Sequence, residues 1–417
     1  MKQIKIEGNK TLTGQINIGG SKNSAVALVP ASILCDETAI IDNIPNISDI
    51  EALNDILEFL GSKVKRDSKR MEIDSSSIEN KEIPESISKR LRASYYFMSA
   101  LLGKYKHVEM YFPGGCSIGA RPIDQTLKGF KALGATVQEI DNKFIIDAKE
   151  LIGSNVYLDM PSVGATINTI LVAVKAKGKT IIENAAKEPE IVNVTTYLNN
   201  MGANIKGAGT SKIVIEGVTK LHKTYIEVIP DRIEAGTYVI AGALLGDNLK
   251  ITNIIPDHIQ NLLFKLEEMG VKMEIGEDFI NISHCKTLNS VNIKTLGYPG
   301  FPTDLQQPIV TLLTQCNGES ILEETIYENR FQNIPFLNEM GANIVVKDKK
   351  ALITGPSSLK GKVVKATDLR AGACLILAGL RAEGTTIVTD IEHVLRGYEN
   401  IIEKLSNVGA KIQIEEV

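Results

Sequence analysis

The sequence predicts a mixed α/β (α+β) chain of two similar domains, built from six copies of one supersecondary unit. Three observations carry this. The chain has 417 residues, more than a single hydrophobic core usually holds. A short glycine-centred phrase recurs six times at intervals of about 70 residues, the mark of repeated units. Ahead of each copy runs the same alternation of apolar helix, β-branched strand and amphipathic helix.

The phrase reads Leu60-Gly61-Ser62-Lys63-Val64, Leu133-Gly134-Ala135-Thr136-Val137 and Met201-Gly202-Ala203-Asn204-Ile205 in the first half. It returns as Met269-Gly270-Val271-Lys272-Met273, Met340-Gly341-Ala342-Asn343-Ile344 and Val408-Gly409-Ala410-Lys411-Ile412. Each copy predicts a helix stopped by a glycine just past its end and followed at once by a strand. The preceding helices, such as 47–60 and 259–269, carry an apolar face at helical spacing. Upstream lie strands rich in β-branched residues at 180–183, 249–253, 320–323 and 385–388. Before them come helices apolar all round, at 24–34, 93–102, 167–174, 236–245, 306–313 and 372–380, which predicts burial.

The sixth copy is cut short, and Leu12-Thr13-Gly14-Gln15-Ile16-Asn17-Ile18 fits the slot that 221–228 and 359–365 occupy elsewhere. The N-terminal strands are therefore expected to complete the sixth unit. This gives one domain of 1–21 plus 230–417, holding repeats four to six, and another of 22–229, holding repeats one to three.

Composition is that of an ordinary soluble protein, 43% apolar and 23% charged. A net charge of -4 argues against a clamp around nucleic acid and against a general pull toward anionic lipid. No apolar run reaches the roughly 20 residues of a membrane span, and the first residues alternate polar and apolar without a signal-peptide core. The expected location is cytoplasmic, with no nucleic-acid or membrane partner. The five cysteines and five histidines fall in no metal-ligand spacing, so no metal is expected. Cys35, Cys316 and Cys374 read as core residues.

Chemistry is expected where the buried helices begin. The six junctions contain Lys22 and Asn23, Arg92, Ser162-Val163-Gly164, Asp231 and Arg232, Asp304, and Asp368 with Arg370. Helix N-termini present unpaired N–H groups and a partial positive charge, and suit anions; fixed lysines and arginines add directed hydrogen bonds. Each of Asp231, Asp304 and Asp368 also stands as a simple N-cap. Capping alone leaves the recurring cations unexplained, because Lys and Arg are unfavourable at a helix start. Separately, the glycine- and proline-rich run at 112–124 surrounds Cys116 and Arg121, and a nearby cation favours the thiolate. An incidental loop cysteine is the other reading.

Taken in order, Gly19-Gly20-Ser21-Lys22-Asn23, Leu91-Arg92-Ala93-Ser94, the 113–124 loop, Ser162-Val163-Gly164-Ala165-Thr166, Pro230-Asp231-Arg232-Ile233-Glu234, Phe301-Pro302-Thr303-Asp304, Glu328-Asn329-Arg330-Phe331, Ala366-Thr367-Asp368-Leu369-Arg370 and Arg396-Gly397-Tyr398-Glu399 span nearly the whole chain. This series resembles the UDP-N-acetylglucosamine enolpyruvyl transferases (1-carboxyvinyltransferases), which open peptidoglycan precursor synthesis. The resemblance implies two domains, each of three βαβαββ-type units around buried parallel helices, with the active site in the interdomain cleft. It implies phosphoenolpyruvate and UDP-N-acetylglucosamine as substrates, joined at the sugar 3′-hydroxyl with release of phosphate, a reaction for which no cofactor is expected.

By the same resemblance, Lys22 and Arg121 hold the phosphate of phosphoenolpyruvate and Arg396 its carboxylate. Cys116 is the proton donor and the thiol that fosfomycin alkylates. Asp304 faces the sugar hydroxyl as base or orienting group, and Asp368 and Arg370 support the reacting centre. Asn23, Arg92, Arg121, Pro122, Ile123, Asp124, Gln125, Ser162, Val163, Gly164 and Ile326 match nucleotide-sugar contacts. Some relatives place a lysine where Met160 stands, so a diphosphate contact at that turn loses support here. Two rivals stay open: the transferase of the same fold that acts on shikimate 3-phosphate, and a protein that binds the nucleotide sugar without turnover.

Overall fold

The computed structural model describes residues 2–89, 92–113 and 123–416, and the chain divides into two compact units. One joins the residues up to Gly19 with those from Pro230 onward; the other holds the described residues from Gly20 to Ile229. Each unit repeats one motif three times.

The recurring glycines explain why the motif repeats. Gly61, Gly134, Gly202, Gly270, Gly341 and Gly409 all have φ between 89° and 106°. A side chain pays a steric penalty in that left-handed region and glycine does not. Each glycine ends an outer helix: Ser48–Phe59, Asp124–Ala132, Pro189–Asn200, Gln260–Glu268, Ile334–Glu339 and Ile401–Asn407. In each the chain then turns back toward its sheet.

The buried helices are α1 (Lys22–Ala31), α2 (Tyr95–Tyr105), α3 (Val163–Ala173), α4 (Arg232–Leu245), α5 (Gln306–Leu313) and α6 (Leu369–Arg381). In one unit α2 packs on α1 and α3; in the other α4, α5 and α6 pack on one another. Leu28, Phe97, Leu171, Val239, Leu312 and Leu375 are all fully buried. Each such side chain contributes about 1.5–3 kcal/mol by leaving water, which is why these helices lack a polar face. No described helix is long and apolar enough to cross a membrane.

Every repeat lays a small sheet beside its helices. In the third repeat the order is Asn204–Lys206, Lys212–Glu216, Lys179–Glu183 and Asn155–Tyr157; an antiparallel hairpin meets a central strand, which pairs in parallel with an edge strand. The second repeat reduces the edge strand to a single parallel bridge, Ile83 to Met110. In the first repeat the edge strand is Thr224–Glu227, taken from after the third repeat, so three repeats close on themselves.

The other unit closes with the N-terminal residues, in a way the sequence expectation had only half right. Lys2–Glu7 inserts between Thr385–Thr389 and Lys411–Glu416 and completes the sixth sheet. Leu12–Asn17 instead pairs in parallel with Gly246–Thr252 of the fourth repeat. Similarity to 221–228 and 359–365 identified the edge-strand slot, but not which central strand it serves.

A second repeated device went unread in the sequence. Asn43, Asn184 and Asn253 follow central strands with φ of 56–58°. Each donates its side-chain N–H to the carbonyl just past the edge strand: Val228, Leu158 and Ile18, at 2.7–2.9 Å. Asparagine tolerates the left-handed backbone and supplies the donor. These bonds fasten the edge strands that lead into α1, α3 and α4.

Candidate active site

In the unit containing residues 230–417, the starts of α4, α5 and α6 carry Asp231, Asp304 and Asp368. Asp231 and Asp368 are N-caps. Oδ1 of Asp231 accepts from the N–H of Ile233 and Glu234 at 2.8 and 2.9 Å, and Oδ1 of Asp368 from those of Arg370 and Ala371 at 2.8 and 3.0 Å. The second oxygen of Asp368 accepts from Nε2 of Gln307 on α5, tying two helix starts together.

Asp304 is different, and the capping reading fails for it. It sits in the single 3₁₀ turn Thr303–Leu305, and no side chain caps α5. Its carboxylate is gripped from both sides instead. Nη2 of Arg330 donates to Oδ1 at 2.8 Å and Nη2 of Arg370 to Oδ2 at 3.1 Å. Both guanidiniums are almost wholly buried, while Asp304 keeps 25% of its side chain exposed. Burial alone would raise the carboxyl pKa, but Arg370 and Arg330 outweigh it and hold the group well below the usual carboxylate range.

Arg370 also lies over the ring of Tyr398, its guanidinium carbon 5.3 Å from the centroid. The Tyr398 hydroxyl pairs with that of Thr237 on α4 at 2.9 Å, so the three buried helices share one polar network. Arg330 adds a bond to the carbonyl of Thr303 at 3.2 Å. Arg330 and Tyr398 had no role in the sequence reading, although both stand in the Glu328–Phe331 and Arg396–Glu399 segments; nothing in their spacing marks them as partners of Asp304. Arg232 begins α4 with its guanidinium carbon 5.7 Å from the Tyr298 ring. Arg396 ends the short helix Glu392–Leu395, two residues before Tyr398. Ile326 is half-exposed on a turn after the strand Gly318–Glu323.

In the other unit, Lys22 is the first residue of α1, which Ser21 caps by accepting from the N–H of Ser24. Its Nζ lies 2.6 Å from Oδ2 of Asp49, a carboxylate only 4% exposed. A neighbouring acid was not expected. The contact fixes the side chain in place. Asn23 follows on the same turn.

Arg92 opens the short turn before α2, its guanidinium carbon 5.8 Å from the Tyr95 ring. Tyr95 in turn packs on the start of α3: a Cβ at Gly164 would come within 1.9 Å of the Tyr95 hydroxyl. Glycine lets the Tyr95 hydroxyl lie against this backbone, so Arg92, Tyr95 and the Ser162–Gly164 turn form one surface. Ser162 caps α3 by accepting from the N–H of Ala165 at 3.3 Å.

Ile123 is buried, and Asp124 and Gln125 begin the helix Asp124–Ala132. Both ends of the Gln125 amide are engaged by Asp159: Oε1 accepts from its N–H at 2.9 Å and Nε2 donates to its carboxylate at 3.0 Å. Gln125 thus braces the turn before Met160, which is itself exposed. Cys116, Arg121 and Pro122 lie outside the described residues. Among the described residues no cluster of histidine, cysteine or carboxylate has the makings of a metal site.

The family model described as EPSP synthase (3-phosphoshikimate 1-carboxyvinyltransferase) matches residues 6–405. UDP-N-acetylglucosamine 1-carboxyvinyltransferase 1 of Streptococcus agalactiae serotype Ia is 51% identical over 418 residues, covering 100% of both chains. UDP-N-acetylglucosamine 1-carboxyvinyltransferase 2 of Geobacillus kaustophilus is 51% identical, covering 100% of this chain and 97% of its own. Among solved structures, the enolpyruvyl transferase NikO from Streptomyces tendae superposes with a TM-score of 0.91 at 26% identity, covering 100% of this chain and 99% of that one. EPSP synthase from Acinetobacter baumannii shares the fold, with a TM-score of 0.76 at 19% identity and full coverage of both chains.

Proposed function

The chain belongs to the EPSP synthase (enolpyruvyl transferase) family, and from that premise we propose that it transfers the enolpyruvyl group of phosphoenolpyruvate to the 3′-hydroxyl of UDP-N-acetylglucosamine. The observation that carries the choice of acceptor is full-length identity of 51% to enzymes named for that substrate. The reading makes the protein a cytoplasmic enzyme that commits the nucleotide sugar to peptidoglycan precursors.

The residues suit the chemistry. Phosphoenolpyruvate brings a phosphate and a carboxylate, and Lys22, Arg121 and Arg396 are the cations assigned to them. In the addition step the sugar 3′-oxygen bonds to C2 and its hydroxyl proton passes to a phosphate oxygen, while C3 gains a proton, for which Cys116 is the assigned donor. In the elimination step C3 gives up a proton and the C2–phosphate bond breaks, leaving the enolpyruvyl ether and free phosphate. Asp231, Arg232, Asp368 and Arg370 line the helix starts that stabilise the developing charge.

For Asp304 the geometry favours one of the two roles. A carboxylate held far below its ordinary pKa by two guanidiniums is a weak base. We assign it to accept a hydrogen bond from the sugar hydroxyl and so orient it. Proton acceptance becomes favourable only if a guanidinium turns from Asp304 toward an anionic substrate.

A phosphate-release assay with each acceptor tests the reading. Release that requires both phosphoenolpyruvate and UDP-N-acetylglucosamine supports it. Release with shikimate 3-phosphate alone would reverse the choice of acceptor, and nucleotide-sugar binding without release would make the chain a binding protein.

A further inference from the structure

Glu324 directly follows the strand Gly318–Glu323 and is 1% exposed. Burying a carboxylate costs several kcal/mol unless hydrogen bonds replace its water, and here four neutral donors do so. Oε1 accepts from the Thr295 hydroxyl at 3.0 Å and from the N–H of Ile326 and Tyr327 at 2.7 and 3.1 Å. Oε2 accepts from the Thr303 hydroxyl at 2.9 Å.

Those donors belong to three separate segments. Thr295 follows the strand Ile293–Lys294, Thr303 immediately precedes Asp304, and Ile326 and Tyr327 form the next turn. Thr295 reinforces the arrangement, since its hydroxyl accepts from the N–H of Thr325 at 2.9 Å and its carbonyl from the Thr325 hydroxyl at 2.6 Å. Arg330, beyond the 326–327 turn, binds the Thr303 carbonyl and Asp304. The Thr303–Asp304 segment is therefore held by Glu324 through one side chain and by Arg330 through the other.

We propose that Glu324 is a positioning residue that sets the Asp304 turn and the Ile326 turn against each other, so that the acceptor hydroxyl and the rest of the nucleotide sugar are registered together. This rests on the functional reading given above. A carboxylate spent only on local stability has no need to bridge these two turns, because a hydroxyl or amide reaching either one alone would serve. Misplacement of a reacting group by about 1 Å costs roughly 100-fold in rate, which sets the scale of the effect.

The test uses the full chain with Glu324→Ala, Glu324→Gln and Thr303→Val, followed by steady-state kinetics in both substrates and thermal unfolding. Glu324→Ala is expected to lower kcat/KM for UDP-N-acetylglucosamine by about 10–100-fold, with KM for phosphoenolpyruvate nearly unmoved. Glu324→Gln keeps an acceptor for three of the donors and offers its amide to Thr303, so it restores most of the rate. Thr303→Val removes one bond while keeping shape; its loss falls mainly on kcat and does not add to that of Glu324→Ala. Unchanged kinetics in Thr303→Val, a rise in KM for phosphoenolpyruvate as large as that for UDP-N-acetylglucosamine, or failure of Glu324→Gln to rescue would each overturn the proposal, and Thr303→Val decides the question if Glu324→Ala does not fold. Absence of turnover in the wild-type chain overturns the functional reading and this inference with it; wild-type turnover with an unaltered Glu324→Ala overturns the inference alone.

Discussion

Arg370 donates from Nη2 to Oδ2 of Asp304 at 3.1 Å, across 66 residues of sequence. The bond joins the start of α6 to the turn before α5, and Arg330 completes it on the other oxygen at 2.8 Å. One exposed edge of a carboxylate is thus presented on a bed of buried positive charge.

Replacing Asp304 with Asn should therefore cost stability as well as activity. It leaves two buried guanidiniums without their anion, a loss of about 3 kcal/mol by comparison with other broken buried pairs. The pH dependence follows from the lowered pKa. Stability contributed by ionised Asp304 is fully present above its ordinary value of 3.8 and is lost as pH falls through the lower folded value. Urea unfolding of wild type and Asp304→Asn should show a gap that is constant from about pH 8 to 5 and narrows in stronger acid. A gap that closes already near pH 6 would contradict the ion-pair account.

Lys22→Ala should weaken phosphoenolpyruvate far more than UDP-N-acetylglucosamine. Loss of one charged hydrogen bond is worth about 1.5–3 kcal/mol, or roughly 10–100-fold in affinity. Calorimetric titration of the full chain with each substrate measures this. Equal losses would mean that the Lys22–Asp49 pair serves structure alone.

Thiol reactivity should single out one cysteine. Cys35, Cys316 and Cys374 are buried, and burial raises the pKa of each, to about 12 for Cys316 and about 11 for Cys374. They are poor nucleophiles at neutral pH. Fosfomycin treatment of the folded chain should place its adduct on Cys116, as peptide mass spectrometry would show. An adduct on the partly exposed Cys285 or on any of the three buried thiols would contradict this.

Gly164→Ala should disturb nucleotide-sugar binding without touching a charged group. The added methyl meets the Tyr95 hydroxyl, and overpacking of this kind costs about 1–3 kcal/mol. A rise in KM for UDP-N-acetylglucosamine is expected, relieved in the double variant with Tyr95→Leu. No relief would show that the methyl acts on something other than Tyr95.

The architecture was legible because repetition made it so. Six glycines forced into one left-handed conformation announce six helix ends, and helices apolar all round announce burial. The roles of Asp231 and Asp368 were half legible, since a capping aspartate obeys local rules. Arg330, Glu324 and Asp49 were not, because their partners lie on segments that only the folded chain brings near: Asp304, Thr295 with Thr303, and Lys22 respectively. The asparagines at 43, 184 and 253 occupy that place in only three of the six repeats. They went unread because so broken a series leaves no clear period and their partner carbonyls are distant in sequence.

The most direct test of enolpyruvyl transfer to the nucleotide sugar is proton NMR of the product formed from phosphoenolpyruvate and UDP-N-acetylglucosamine. A pair of vinyl proton resonances from an enolpyruvyl ether on the sugar 3′-oxygen is expected, accumulating in step with free phosphate. An unaltered nucleotide sugar, under conditions where the chain releases phosphate with shikimate 3-phosphate, would contradict it.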